Sequence, residues 1–167
     1  SLFNEALLVF ICKANADATQ APTAAAVRPL SLCNTDNKLF CSSLRRCIDP
    51  LISLWALSVQ RGFIAQRRMI RNIIDIEGFA AAYAAVCRHY PAILLCDFMA
   101  AFPSVSHIMV FASLSYLGFP ANIVSAILQL YQANTHYVVL AGRLFATITF
   151  ARGVRQGCPL SAVVFFI

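Results

Sequence analysis

The sequence predicts an α+β fold, and three observations carry that prediction. Short apolar runs of strand length stand near both ends of the chain, at residues 4–12, 27–32, 136–140 and 144–150. Longer stretches with the spacing of a helix face fill most of the region between them. A further apolar run, residues 92–96, ends in a carboxylate at Asp97, the look of a buried strand with an acid at its tip.

In chain order, residues 4–12 form the first strand candidate, ending at Lys13. Residues 14–27 are rich in Ala, Thr, Asp and Pro and read as a loop. Residues 27–32 form a second strand, and Pro29 puts it at a sheet edge. The two runs are suited to a hairpin. Asn34, Thr35 or Asp36 can cap a helix, after which Phe40, Leu44, Ile48 and Ile52 repeat along one face. Residues 60–66, with Gly62, are a connection, and a helix is expected over 67–89. Pro91 restarts the chain before the 92–97 strand. Two helices follow, over 106–117 and 122–131, joined at Gly118-Phe119-Pro120. Residues 136–140 and 144–150 flank Ala141-Gly142-Arg143 as a second hairpin. Residues 153–160 are a loop, and 161–167 begin an apolar helix. No internal repeat or linker-length tract is evident.

Composition narrows the classes. The chain of 167 residues is 60% hydrophobic and 12% charged, with a net charge of +6. The basic residues cluster between Lys38 and Arg71, where only Asp49 opposes them, and that stretch alone accounts for the +6. Clustered basic charge suits a polyanion, although a solvated helix face has the same appearance. The seven cysteines include no C-x-x-C pair and the number is odd, which argues against a zinc site and a disulfide framework and for free thiols in a reducing compartment. Residues 98–142 contain no Asp, Glu, Lys or Arg, but Pro103, His107, Gly118, Pro120, Asn122, Gln129, Asn134 and His136 break the stretch. No clean piece approaches the ~20 apolar residues of a spanning helix, so no stable membrane association is expected. The start has neither an initiator Met nor a basic signal-peptide region, and the chain reads as an excerpt of something longer.

The most informative segment is Gly153-Val154-Arg155-Gln156-Gly157-Cys158-Pro159-Leu160-Ser161. Two glycines bracket a guanidinium and an amide, between a hairpin and a helix. Glycines let a backbone approach a ligand closely, and Arg and Gln supply charged and amide contacts. As a string, the segment resembles the loop that follows the palm hairpin in reverse transcriptases of non-LTR (LINE-type) retrotransposons. Other blocks are similar to that family in the same order: Ile11-Cys12-Lys13; Arg28-Pro29-Leu30-Ser31-Leu32 with Asn34-Thr35-Asp36 and Lys38; Gln60, Gly62, Phe63, Arg67 and Asn72; and Leu95-Cys96-Asp97-Phe98 with Ala101-Phe102.

The resemblance implies a single incomplete reverse transcriptase domain over 1–167, of the right-hand polymerase type: fingers-like over 1–90, and a partial palm with an antiparallel sheet and packed helices over 91–167. It implies RNA-directed DNA polymerase chemistry, with an RNA template, a DNA primer, deoxynucleoside triphosphates and Mg²⁺ as partners, inside the nucleus or cytoplasm. Asp97 would be a catalytic carboxylate on the metal, since two-metal phosphoryl transfer uses carboxylates to position the ions. Lys13, Arg28, Phe102, Gln156 and Gly157 would meet the nucleotide, Phe102 as a steric gate under the sugar. Arg67 and Arg155 would contact nucleic acid. The sequence departs from the family at Cys12 (usually Pro), Gln66 (Gly), Ala100 (often Lys), Pro103 (usually a second Asp) and Ala162 (Pro). Asp97 is the only acidic residue after Glu77, so the family's paired aspartates have no counterpart here, and the chain alone is expected to be inactive. The competing readings are a non-catalytic nucleic-acid-binding remnant and, less favoured, a membrane protein.

Overall fold

The computed structural model describes residues 2–13, 23, 26–87 and 92–167. The chain is α+β. A short 3-10 turn, Leu2–Asn4, leads into β1 (Ala6–Cys12) and β2 (Val27–Cys33). Helices α1 (Thr35–Trp55), α2 (Ile70–Val86), α3 (Ala101–Ser104), α4 (His107–Tyr116) and α5 (Ala121–Tyr131) follow, then β3 (Thr135–Leu140), β4 (Arg143–Thr149) and α6 (Ser161–Phe166). The expected loop over 14–27 and the expected end of the second helix at His89 fall largely or wholly outside the described residues.

Both expected hairpins form, and they join in one sheet of order β2-β1-β3-β4. β1 and β2 are antiparallel, with Ala6 opposite Cys33 and Cys12 opposite Val27. β3 and β4 are antiparallel with an irregularity between Tyr137 and Val139. The sheet expected to be antiparallel is mixed, because β1 and β3 run parallel, Ala6 opposite His136. Parallel neighbours need a long crossover, and the helices between β2 and β3 supply it. Pro29 lies on an edge strand, as its missing N–H requires.

Two expectations fail. Residues 92–98 form no strand and are exposed, Leu94 at 88% and Leu95 at 85%. A run that is apolar on both faces is stable as a strand only where both faces are covered, and β3 instead takes β1 and β4 as its neighbours. Phe40 also lies off the buried stripe of α1, which runs through Asn37, Cys41, Leu44, Ile48 and Ile52. A strict four-residue step drifts around a helix of 3.6 residues per turn, so the stripe mixes steps of four with a step of three. Phe40 instead meets the ring of Phe3 edge-on at 6.1 Å.

The chain divides into two compact units, Ser1–Arg45 with Ala100–Ile167, and Arg46–Met99. In the first, Leu114 of α4 and Ile127 of α5 are fully buried, each contributing roughly 1.5–3 kcal/mol of hydrophobic stabilisation. Ser106 caps α4 by accepting from the Met109 N–H. In the second, α2 has no buried residue. No helix among the described residues is long and apolar enough to cross a membrane.

Candidate functional site

The loop after β4 is held from two sides. Its Gly153 N–H donates to Val105 O at 2.7 Å and the Val154 N–H to Phe102 O at 2.9 Å. His107 Nε2 donates back to Gly153 O at 2.7 Å. Gly153 has φ +87°, and a Cβ there would lie 2.9 Å from Pro103 O and 3.0 Å from Pro103 Cα. On the other side, the Ser31 N–H donates to Gln156 O at 2.8 Å, so the loop covers the open edge of β2. Gly157, at φ +111°, passes so close that a Cβ would stand 2.9 Å from Ser31 O. The two glycines let the chain fit between the 102–105 turn and β2. In this structure their close approach is to the protein itself.

Between the glycines, Arg155 is only 5% exposed. Its Nε donates to Asn134 Oδ1 (2.9 Å), Nη1 to Asn37 Oδ1 (3.2 Å) and Cys33 Sγ (3.6 Å), and Nη2 to Leu130 O (2.6 Å) and Asn4 Oδ1 (3.4 Å). A guanidinium has five N–H donors, and these contacts use all of them. None of these partners is a carboxylate. Arg155 therefore ties the loop to α1, β2, the 3-10 turn, α5 and the residue before β3. A buried guanidinium with its donors filled by the protein has none left over in this structure for a phosphate.

His136 of β3 is fully buried nearby. Its Nε2 lies 2.9 Å from Ser31 Oγ, and its ring stands edge-on to Phe150 at 4.4 Å. Burial, helped by the positive charge of Arg155, pushes its pKa down to about 4, so it is neutral at pH 7.

The hairpin and the loop enclose a cavity of about 390 Å³. Leu8, Phe10, Pro29 and Ser31 line it from β1 and β2, Ile148 and Phe150 from the end of β4, Pro103 from α3, and Arg152 to Gln156 from the loop. Mostly apolar walls with a few polar groups, at this volume, suit a small-molecule ligand.

The expected site residues distribute unevenly. Gln156 lines the cavity. Phe102, which precedes the cavity-lining Pro103 and does not itself line the cavity, is half-buried, its carbonyl anchoring the loop and its ring 5.3 Å from that of Phe165. Gly157 lies just past the cavity wall. Arg28 pairs with Ile11 and Pro29 with Phe10, so by strand alternation Arg28 projects from the face opposite the cavity. Lys13 extends the hairpin ladder through its N–H to Ala26 O at 2.9 Å, and neither cation lines the cavity.

Arg67 departs from the implied contact as well. Its guanidinium donates to the carbonyls of Ser53, Ala56, Leu57 and Gln60 at 2.5–3.1 Å, satisfying acceptors at the end of α1 and just beyond. Other members of the basic cluster are also engaged. Arg61 pairs with Asp75 at 2.6 Å, Arg71 with Asp75 at 3.3 Å, and Arg45 donates to Pro159 O at 3.1 Å. Lys38, Arg46 and Arg68 are exposed.

Asp97 belongs to the Arg46–Met99 unit and is exposed on the unpaired 92–98 segment. Two-metal chemistry needs several carboxylates fixed in place. Among the described residues no group of three or more His, Cys, Asp and Glu is placed to hold a metal. These residues by themselves do not fit a magnesium site.

Sequence reasoning did not single out Asn37, or treat Asn134 and His136 as more than interruptions of an uncharged stretch. The available signal was their polarity within apolar surroundings, since a polar residue inside a core-forming run needs a partner.

No family model matches the chain. It is similar to the uncharacterized 149 kDa protein of transposon TX1 from Xenopus laevis, at 27% identity over 141 residues. That alignment covers 83% of this chain and 10% of the relative, so the chain spans about a tenth of the length of the protein it matches. The likeness is a distant one to a transposon protein.

Proposed function

We propose that the chain is part of an RNA-directed DNA polymerase of a non-LTR retrotransposon and contributes its nucleotide- and template-facing surface. The observation supporting this most is the convergence of segments far apart in sequence on one cavity: the β1–β2 hairpin, Pro103 and the 152–156 loop. Of that lining, Pro29, Ser31 and residues 153–156 belong to strings that carry the family resemblance. A nucleobase is a flat ring system with a polar rim, and Phe10, Pro29 and Phe150 offer apolar and stacking surface while Gln156 offers an amide. In this reading the cavity takes a template or incoming base, and Phe102 limits the space beside the sugar. Arg28 meets phosphate from the other face of the hairpin. Asp97 is a single carboxylate, and one carboxylate does not hold two ions at a fixed separation. The chain by itself is therefore expected not to extend a primer.

The test is binding of a fluorescent RNA–DNA hybrid followed by anisotropy across a salt series. Salt-sensitive binding is expected, and Arg28→Ala should lower the slope against log salt by about 1. Gln156→Ala should weaken binding with the slope unchanged. Hybrid bound no tighter than polyglutamate would remove the nucleic-acid reading. Hybrid binding without photocrosslinking of any deoxynucleoside triphosphate would favour a non-catalytic binding module.

A further inference from the structure

The cavity beside the 152–156 loop lies wholly within the first compact unit, and its charge is one-sided. None of its lining residues is acidic, and no Asp or Glu occurs in β1, β2, β4 or the loop. Two arginines belong to its wall. Arg155 is buried and engaged, but its partners are all neutral, so its charge is not offset. Arg152 is the opposite case. It is exposed, and its side chain has no hydrogen-bond or ion-pair partner among the described residues. The side-chain amide of the half-buried Gln156 is also without a partner among them.

The backbone next to Arg152 is fixed. Gly153 donates to Val105 O at 2.7 Å, its carbonyl meets His107 Nε2 at 2.7 Å, and its approach to Pro103 leaves no room for a Cβ. Unpaired arginines are common on surfaces. What sets Arg152 apart is that it lines a cavity together with Phe10, Pro29, Ile148 and Phe150. A cation carried on an anchored backbone beside apolar walls is preorganised for an anion with an apolar body, because little backbone ordering remains to oppose binding.

We propose that this cavity is a site for a small aryl phosphate. The ring body lies against Phe10, Pro29, Ile148 and Phe150, and a phosphate monoester meets Arg152, with the Gln156 amide as a further donor. The inference rests on the cavity being a ligand site, as in the proposed function, and not on the ligand being a base. The planar fork of a guanidinium matches two phosphate oxygens. A phosphate monoester carries about −1.5 to −2 charge at neutral pH, more than a carboxylate. Two guanidinium charges with no acid among the lining residues favour the more highly charged group. Inorganic phosphate lacks the ring, so it forgoes the apolar burial and binds weakly.

The experiment titrates the isotope-labelled native chain at neutral pH with 2-naphthyl phosphate, 2-naphthoate and the uncharged 2-naphthol, and follows the backbone amides by NMR. The phosphate is expected to bind most tightly and 2-naphthol least, with shifts at Gly153, Val154 and Gln156. Arg152→Ala should weaken 2-naphthyl phosphate about tenfold, the worth of one charge-assisted hydrogen bond at a partly open site. It should leave 2-naphthol unchanged, and Arg152→Lys should recover part of the loss. Because Arg152 is exposed and unpaired, neither variant removes a contact that the fold uses. Phosphate bound no tighter than 2-naphthol or 2-naphthoate, or bound equally well by Arg152→Ala, would overturn the proposal. Thymidine 5′-monophosphate separates this inference from the base reading. If it fails to bind while 2-naphthyl phosphate behaves as expected, the aryl phosphate site stands and the base reading falls. If it shifts the same amides with an affinity that Arg152→Ala does not alter, the base reading stands and this inference falls.

Discussion

The loop at 153–160 and the segment at 92–98 carry two of the clearest family strings in the chain, yet they are built in opposite ways. The loop is tied by backbone hydrogen bonds to the 102–105 turn and to β2, and its arginine reaches five further segments. Residues 92–98 form no element and are exposed throughout. The difference lies in where each segment's partners are. A loop with glycines can satisfy its backbone against whatever passes close by. An apolar run hydrophobic on both faces gains strand stability only from neighbours that cover it. Similarity of sequence marks both segments, but it reports on local order in only one.

The comparison breaks most readily at Arg155. Replacing it by Leu leaves Asn37, Asn134 and the Leu130 carbonyl without their donor inside the core. The expected loss is about 4 kcal/mol, from several buried groups losing charged hydrogen bonds at once. Urea titration followed by circular dichroism measures it. A midpoint equal to that of the native chain would mean that the loop is not anchored through this side chain.

His136 sharpens the same region through pH. Its folded pKa, near 4, lies below the ordinary histidine value of about 6.5. Between those values the unfolded chain binds more protons than the folded one, so stability falls as pH drops through that window and is retained above it. The full effect by pH 4 is about 3 kcal/mol at most. The readout is the difference between the native chain and His136→Asn across pH 4–7, which cancels most of the carboxylate contribution. A difference that does not change with pH would show that the imidazole is not buried as a neutral ring.

Much of this architecture was legible beforehand. Both hairpins, the break at Gly118 and the edge position of Pro29 follow from turn chemistry and periodicity, which act over a few residues. The glycine loop was legible as a string. Its partners were not, because a sequence does not state which distant acceptors will surround Arg155, and an arginine between glycines looks the same whether it grips a phosphate or five groups of its own chain. The acceptors that surround Arg67 were hidden for the same reason. The burial of Asn37 and His136 depends on tertiary neighbours, β2 and the loop, that no local pattern encodes. The parallel pairing of β1 with β3 is likewise a long-range fact.

Glycine substitutions give a smaller, paired test. Gly153→Ala places a methyl 2.9 Å from Pro103 O at φ +87°. The backbone must move, at an expected loss of about 2 kcal/mol. Gly78, in the middle of α2, has nothing within 4 Å of a built Cβ. There Ala should add about 0.5–1 kcal/mol, from helix propensity alone. Opposite signs in thermal melts of the two variants would place the structural constraint in the loop. The same sign for both would show that the close approach to Pro103 is relaxed in solution.

Asp97 should produce the smallest effect of all. It is exposed on a segment without secondary structure, so no packed environment depends on its charge. Asp97→Asn is therefore expected to change stability by less than about 0.5 kcal/mol, the usual range for surface substitutions. Hydrogen exchange should agree: amides of 92–98 exchange fast, while those of Ser31 and Val154, bonded to Gln156 O and Phe102 O, are protected. A carboxylate that is neutral for stability and yet needed for nucleotide binding or turnover in a longer chain would be one kept for chemistry. If Asp97→Asn instead destabilises the chain by 1 kcal/mol or more, or if the 92–98 amides are protected, the segment is ordered in solution, and the contrast with the glycine loop disappears.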